Sequence, residues 1–330
     1  MKPKKQDKKV RIHFEGIHPN SWEHPADKVA LNSLQKVPGL DIAIKTFFGS
    51  TTEKSLKLIA LGSAVRVSKK QFPRLHKLFT EACETLDMER RPELFVSQNP
   101  FFNAGAVGMD DPFVILNSGL IDIMDDQEIL GVMGHELGHI KSGHVLYKTL
   151  LILMIRLSTF TLNIPLSGLA IAGIIAALKE WDRKSELSAD RAALLTTQDP
   201  DVSIHMLMKM AGGKQLEEMD LGEFIAQAEE YNNSNSMMES VYKFLNTLGL
   251  SHPMPVIRLL ELMNWVRSGA YDNLLRGFYS KEEGDFTDDF KEAANSYKTD
   301  IKSTIDPIID STTKKAREIF DGLFTSEKEN

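Results

Sequence analysis

The sequence predicts an α+β protein that is mainly α-helical and carries a small β-sheet beside its central helix. Two short apolar runs, Leu94-Phe95-Val96-Ser97 and Phe113-Val114-Ile115-Leu116, have the composition and length of strands. After these runs the chain instead shows apolar residues at helical spacing almost throughout. With 330 residues, the chain is long enough to bury a sizeable core as one large domain or two modest ones.

The first quarter of the chain is predicted to be irregular at first and then to form short helices. Residues 1–24 show no regular pattern, and breaks at 38–39 and 49–50 divide residues 25–60 into two or three helices. Residues 73–86 follow with the spacing of an amphipathic helix. The basic start of the chain is not followed by an apolar segment, so we expect no secretory signal peptide. A single cysteine fits a reducing compartment, and we expect a cytoplasmic location, with membrane association as the alternative.

The most informative predicted helix spans about residues 126–147. Asp125 precedes it, and Glu128 three residues later completes the pattern of a capping box. Apolar residues follow, and then the motif HExxH at residues 135–139. The sequence therefore places this motif on a well-defined helix directly after the short β segment.

The HExxH motif is typical of a zinc site. His135 and His139 lie one turn apart on the same helical face, so both imidazoles can bind one metal ion. Glu136 lies about 100° around the helix from His135. That position suits a base that acts on a water molecule activated by the metal.

A catalytic zinc ion needs a third protein ligand and one open position. Glu186 and Asp190, at positions i and i+4, offer two carboxylates on one helical face. One of them can bind the zinc ion, and the other can accept the second N–H of a ligand histidine. Spacing alone does not distinguish them. The alternative is a solvated face on which Arg183 and Arg191 pair with the carboxylates. We expect His144 to be a surface or supporting residue rather than a ligand.

Four separated stretches of the chain resemble motifs of the HtpX-type zinc metallopeptidases, the family that also contains the CAAX prenyl proteases. The stretches are NAGAV at 103–107, LNSGLIDIMDDQEILGVMGHELGHIKSGH at 116–144, RKSELSADRAA at 183–193 and SHPMPVIR at 251–258. They occur in the family's order, and the resemblance covers roughly residues 64–262. It implies a zincin-like metallopeptidase fold with one Zn²⁺ per chain.

The resemblance also implies roles for individual residues. The implied zinc ligands are His135, His139 and Glu186. Glu136 is the implied general acid/base, and Asp190 matches an aspartate that supports a ligand histidine. Asn103 and Ala104 match an edge segment that pairs with the backbone of the substrate.

A distal motif adds two further candidates, because His252 and Arg258 resemble the family's HP…R pattern. Peptide hydrolysis builds an oxyanion on the attacked carbonyl, and a fixed donor can stabilise it. His252 or Arg258 could supply this donor, and the resemblance implies a catalytic or substrate-orienting role for His252 and a substrate-binding role for Arg258. The residues alone favour another interpretation, in which Pro253 and Pro255 set a turn at a helix start and Arg258 pairs with an acid.

An apolar insert separates the two halves of the predicted site. Residues 157–178 contain no charge, yet residues 149–178 are too short for the two bilayer crossings, each of about 20 residues, that would return the chain to the same metal. We therefore predict an apolar helical hairpin. It is either buried in the protein or used for peripheral membrane contact or homo-oligomer formation.

Composition excludes several classes of protein. The net charge of −7 argues against nucleic-acid binding, and the single Cys83 excludes a disulfide framework. We divide the chain into an N-terminal extension at 1–60, a metallopeptidase domain at 61–265 and a C-terminal helical extension at 266–330. The predicted function is zinc-dependent endopeptidase activity on protein or unfolded polypeptide substrates. The alternative is a non-catalytic, chaperone-like binding protein that contains a zinc site.

Overall fold

The computed structural model describes residues 11–47, 52–157, 168–233, 252 and 254–282. Within these residues the protein is mainly helical and has one small mixed sheet, which confirms the predicted α+β class. The C-terminal apolar pattern beyond residue 282, on which further helices were predicted, lies outside the described residues.

The four-stranded sheet has the order β1-β2-β4-β3. Its strands are β1 (Val65–Arg66), β2 (Glu93–Ser97), β3 (Ala104–Val107) and β4 (Phe113–Asn117). β2 and β4 are parallel, and β1 and β3 run antiparallel to their neighbours. β2 and β4 are the two predicted apolar runs, and most of their residues are buried. β1 was not predicted, because two exposed residues carry no periodic pattern.

In the described part of the chain four helices precede β2, as the sequence predicts. They are α1 (Pro25–Leu34), α2 (Leu40–Phe47), α3 (Thr52–Ser63) and α4 (Pro73–Thr85). The apolar face of α4, which includes Leu75 and Phe79, packs in the main core with the sheet and the central helix.

Eight further helices follow the sheet within the described residues. They are α5 (Ser118–Ile123), α6 (Asp126–Lys141), α7 (Val145–Leu157), α8 (Gly168–Thr197), α9 (Pro200–Gly212), α10 (Leu221–Asn233), α11 (Pro255–Arg267) and α12 (Ala270–Leu275). Short 3₁₀ helices lie at Pro19–Ser21 and Leu216–Glu218. The long helix α8 packs along α6, and this pair forms the centre of the molecule.

The predicted end of the active-site helix at about residue 147 is wrong. Helix α6 ends at Lys141, and Gly143 then adopts φ +70°, a left-handed conformation that glycine allows without strain. The chain turns there and α7 begins at Val145. This turn brings the His144 ring beside His139.

The apolar insert contains α7 and the first half of α8. Leu150 and Met154 of α7 are buried in a second core that also contains residues of α1, α2 and α8, among them Trp181. Among the residues that the structure describes, no helix is long and apolar enough to cross a bilayer. The predicted bend of the hairpin near Asn163 lies outside the described residues.

Candidate metal centre and active-site cleft

Helix α6 holds the three residues of the motif inside the protein. His135, Glu136 and His139 are 4%, 1% and 0% exposed. The predicted capping box is confirmed, since Asp125 accepts from the Glu128 backbone N–H and the Glu128 carboxylate accepts from the Asp125 N–H. These bonds fix the start of the helix and therefore the direction in which its later residues point.

Two glycines let α6 approach α8 closely. A Cβ atom at Gly138 would lie only 2.5 Å from Cβ of Ala192, and one at Gly134 would overlap the Thr196 side chain. Because these positions carry no side chain, the helices come near enough for residues of α8 to reach the histidines of α6.

His135, His139 and Glu186 bring their ligand atoms together. His135 Nε2 lies 3.4 Å from Glu186 Oε2, and His139 Nε2 lies 3.2 Å from Glu186 Oε1. Ligands at zinc-bond lengths in tetrahedral geometry are about 3.3 Å apart. The three side chains therefore have the spacing that one zinc ion requires.

The chemistry of this set also fits a metal ion. His135 Nε2 is buried and has no hydrogen-bond partner among the described residues. Burial lowers the pKa of His135, but the carboxylates of Glu186 and Asp190 more than offset this and raise it to about 9. The surroundings of His135 thus favour a positive charge, which a bound cation supplies. Two imidazole nitrogens and one carboxylate form a donor set found in catalytic zinc sites.

Asp190 lies on the far side of His135. Its Oδ1 is 3.1 Å from His135 Nδ1, so it can accept the second N–H of a ligand histidine. Arg258 donates from Nε to Asp190 Oδ2 at 2.7 Å and also lies 3.0 Å from Glu186 Oε2. Burial raises the pKa of Asp190, but Arg258 more than offsets it, and the carboxyl pKa is below its ordinary value.

The structure places Arg258 with these acids rather than on the cleft. The residue is 2% exposed, and it does not line the cleft beside Glu136. Its position matches the interpretation in which it pairs with an acid and differs from the substrate-binding role expected from the resemblance.

Sequence reasoning missed Lys148. Its buried ammonium group donates to Glu186 Oε1 and Asp182 Oδ1, each at 2.7 Å. Burial raises the pKa of Glu186, but Lys148, His252 and Arg258 together lower it well below its ordinary value. The only signal in the sequence was a lysine near the start of an otherwise apolar helix.

His252 joins the metal centre to the sheet. Its Nδ1 lies 2.8 Å from Glu186 Oε2, and its Nε2 lies 3.1 Å from the carbonyl oxygen of Ala104. The residue also lines the cleft with His135 and Glu136. The predicted catalytic histidine is thus within the site, although it is far from the motif in sequence.

A narrow cleft of about 20 Å³ lies beside Glu136. Most of its lining is apolar and comes from β3 with the two residues before it and from α5, α6 and α9: Phe102, Asn103, Ala104, Leu120, Val132, Met206 and Met210. Both carboxylate oxygens of Glu136 are buried without a hydrogen-bond partner among the described residues. An ionisable group in this state is available for proton transfer.

Strand β3 forms one edge of the sheet beside this cleft. The carbonyl of Asn103 accepts from the Asn117 N–H at 3.1 Å, so Asn103 and Gly105 direct their backbone groups at β4. Ala104 and Ala106 must direct theirs away from the sheet. The contact between Ala104 and His252 agrees with this assignment.

His144 is not near the three ligand atoms but behind one of them. Its Nδ1 lies 3.0 Å from His139 Nδ1, and its Nε2 lies 3.0 Å from Asp27 Oδ2 of helix α1. The role of Asp27 was not predicted, since nothing in the sequence connects α1 with the motif.

Comparisons with a protein family and with individual proteins agree with each other. The model of peptidase family M48 matches residues 69–266. The plastoglobule-localized metallopeptidase 48, chloroplastic, of Arabidopsis thaliana is 37% identical over 269 residues, which cover 80% of this chain and 77% of that protein. A protease HtpX homolog of Tropheryma whipplei is 28% identical over 180 residues, which cover 47% of this chain and 62% of that protein. No solved structure matches the chain significantly.

Proposed function

This chain belongs to peptidase family M48 and is a metallopeptidase, and we propose that it is a zinc-dependent endopeptidase with a zincin-like site. Its substrates are proteins or unfolded polypeptides. The observation that carries the proposal is the convergence of the His135, His139 and Glu186 ligand atoms. Beside them lies the carboxylate of Glu136, which has no hydrogen-bond partner in the described part of the protein.

The two histidines and Glu186 hold the ion, one per chain. Zinc, when bound, polarises a carbonyl group and lowers the pKa of water. Asp190 accepts the outer N–H of His135 and fixes that ring, and Arg258 holds Asp190 in place. Lys148 neutralises part of the buried negative charge on Glu186.

Glu136 carries out the proton transfers of peptide hydrolysis. It takes a proton from the attacking water as the water oxygen bonds to the carbonyl carbon, and it gives that proton to the amine nitrogen as the C–N bond breaks. His252 lines the same cleft, and we propose that substrate displaces its Nε2–H from the Ala104 carbonyl, so that this N–H donates to the oxyanion that forms on the carbonyl oxygen.

Substrate binds in an extended conformation along β3. The outward backbone groups of Ala104 and Ala106 can pair with a peptide strand. Such pairing recognises the backbone of the substrate rather than its sequence. His252 contacts the Ala104 carbonyl, so it lies where the edge strand meets the reacting group. This arrangement supports activity on segments that are unfolded or already extended.

The cellular location of the peptidase and the role of its apolar insert are also proposals. The name of the Arabidopsis relative places that protein at plastoglobules in the chloroplast, and the expected cytoplasmic location has no support from it.

In the described part of the insert, Leu151 and Leu153 are buried against other helices, whereas Ile152 and Ile155 are 37% and 39% exposed. We propose that the insert serves mainly as core. Membrane or homo-oligomer contact through it stays a prediction.

The proposal is tested by metal analysis combined with cleavage of an unfolded protein such as casein. The purified full chain should contain one zinc ion, cleave casein, lose activity with a chelator and regain it when zinc is added. A chain that binds zinc at this site but cleaves no peptide bond would instead support the binding-protein alternative. Full activity after removal of all metal would contradict the proposed mechanism.

A further inference from the structure

A chain of three buried side chains leads from His139 to the N-terminal helix α1. His139 Nδ1 faces His144 Nδ1 at 3.0 Å, and His144 Nε2 faces Asp27 Oδ2 at 3.0 Å. His139, His144 and Asp27 are 0%, 1% and 2% exposed. The turn at Gly143 makes this possible, because it places the His144 ring beside His139, near the end of the helix that has just ended.

Asp27 is itself held firmly. It accepts from Ser188 Oγ at 2.5 Å and from Trp181 Nε1 at 3.1 Å, and both donors belong to α8. Ser188 Oγ in turn accepts from the backbone N–H of His24 at 2.9 Å, which leaves its own hydrogen for Asp27. Although burial raises the pKa of Asp27, His144 and Ser188 lower it to below its ordinary value, as suits an acceptor-only carboxylate.

The contacts dictate where each proton lies. A histidine that binds a metal through Nε2 is neutral and carries its proton on Nδ1, so His139 must donate from Nδ1. His144 Nδ1 must then be an unprotonated acceptor, which puts the His144 proton on Nε2. That N–H faces the Asp27 carboxylate. Every ring N–H in the series His139–His144–Asp27 therefore meets an acceptor, and only one arrangement of protons achieves this.

We infer that His144 and Asp27 are positioning residues that fix the tautomer and the ring orientation of His139 for zinc binding. The inference rests on the proposed zinc site and extends it beyond the ligands. Asp27 lies outside residues 69–266, the part of the chain that matches the family model. The N-terminal helix thus contributes directly to the metal centre instead of merely covering it.

Asp27→Asn tests the inference because it keeps the size of the side chain. If the amide oxygen faces His144, the amide N–H₂ faces the Trp181 N–H, and two donors meet. If the amide nitrogen faces His144, the His144 proton moves to Nδ1 and opposes the His139 N–H. Partners behind a metal ligand are worth roughly 10–100-fold in metal affinity, and for this more distant residue we expect about tenfold weaker zinc binding.

Glu261→Gln is the matched control. Glu261 pairs with His24, next to α1, with the carboxylate 3.5 Å from His24 Nε2. The substitution makes the same carboxylate-to-amide change in the partner of another histidine of this region. That histidine ring is not one of the side chains that link Asp27 to His139. Zinc affinity is measured for both variants and the full-length protein by competition with a chromogenic chelator. Glu261→Gln should stay within about twofold of the unsubstituted protein.

The histidine tautomers give a second readout that needs no variant. In the zinc-loaded protein, long-range ¹H–¹⁵N correlation spectra should show His139 protonated at Nδ1 and His144 protonated only at Nε2. A His144 ring protonated at Nδ1 would overturn the inference, and so would equal zinc affinity in Asp27→Asn and Glu261→Gln. If the unsubstituted protein binds no zinc, the proposed function fails and the inference falls with it. If zinc binds and only these readouts disagree, the inference alone is wrong.

Discussion

The approach of α6 to α8 at Gly138 is the packing feature on which the proposed metal centre depends most directly. A methyl group at this position would meet Ala192 Cβ at 2.5 Å, whereas its next neighbours, Cα and O of Ala189, would be at 3.5 and 3.7 Å. Among the described residues, only the Cβ atom of Ala192 is therefore too close for an added methyl group. Since Ala192 is on the same helix as Glu186, any displacement that relieves the overlap also moves this proposed metal ligand.

The size of the effect follows from these distances. Carbon atoms in contact are about 3.5–4.0 Å apart, so Gly138→Ala must separate the helices locally by about 1 Å. Overpacking of this kind costs about 1–3 kcal/mol, against which the removal of a glycine from a helix gains up to about 1 kcal/mol. We expect a net loss of about 1 kcal/mol in the free energy of unfolding. Because misplaced ligands weaken a site far more than they weaken a fold, zinc affinity should fall at least about tenfold.

The assay compares zinc affinity, by chelator competition, with the free energy of unfolding in urea. Gly131→Ala is the control, since a methyl group there meets only Met206 Sδ and Thr197 Cγ2 at 3.2 Å, and methionine can rearrange. Ala192→Gly added to Gly138→Ala removes the overlapping atom and should restore zinc affinity. Wild-type affinity in Gly138→Ala, or no recovery in the double variant, would refute the argument from close packing.

Two further predictions concern the ligand set and the substrate strand. Glu186→Ala should be purified with little zinc and stay inactive when zinc is added, whereas Asp190→Ala should bind zinc roughly 10–100-fold more weakly and refill at excess metal. The measurement is the zinc content of each variant after chelation and after re-addition of zinc. The reverse pattern would mean that Asp190 is the ligand and Glu186 the supporting residue. Ala106→Pro removes an outward N–H without loss of a sheet hydrogen bond, so kcat/KM should fall about 2–10-fold, the worth of one hydrogen bond, at unchanged zinc affinity. Gly105→Pro, which removes an inward N–H, should instead lower the free energy of unfolding, and equal effects of the two prolines on kcat/KM and stability would count against strand pairing.

Local patterns predicted much of this fold. The capping box at Asp125 and Glu128, the amphipathic helix α4 and the two buried strands all depend on residues that are close in sequence. The same is true of the spacing of His135 and His139, which a helix alone ensures. Such features are predictable because neighbouring residues determine the local conformation and the face on which a side chain lies.

The features that were missed depend on contacts between distant segments. The end of α6 was misplaced because Gly143 ends a helix only if the following chain has somewhere to pack, and the core beneath α7 provides it. Lys148 would be read as an exposed charge until Asp182 and Glu186 are seen to surround it. Arg258 could be assigned either to substrate or to an acid from sequence, and only its burial against Asp190 separates the two.

We propose that Glu136 transfers protons at a zinc site made by His135, His139 and Glu186. The most direct test of this proposal is the zinc content and casein cleavage of Glu136→Gln, measured on the same preparation. Glu136 is not a ligand in this account, and glutamine has nearly the same size, so the variant should retain one zinc ion per chain and a normal unfolding transition. It should lose nearly all cleavage, because an amide cannot accept the proton of water. Cleavage at the wild-type rate by the zinc-loaded variant would contradict the account.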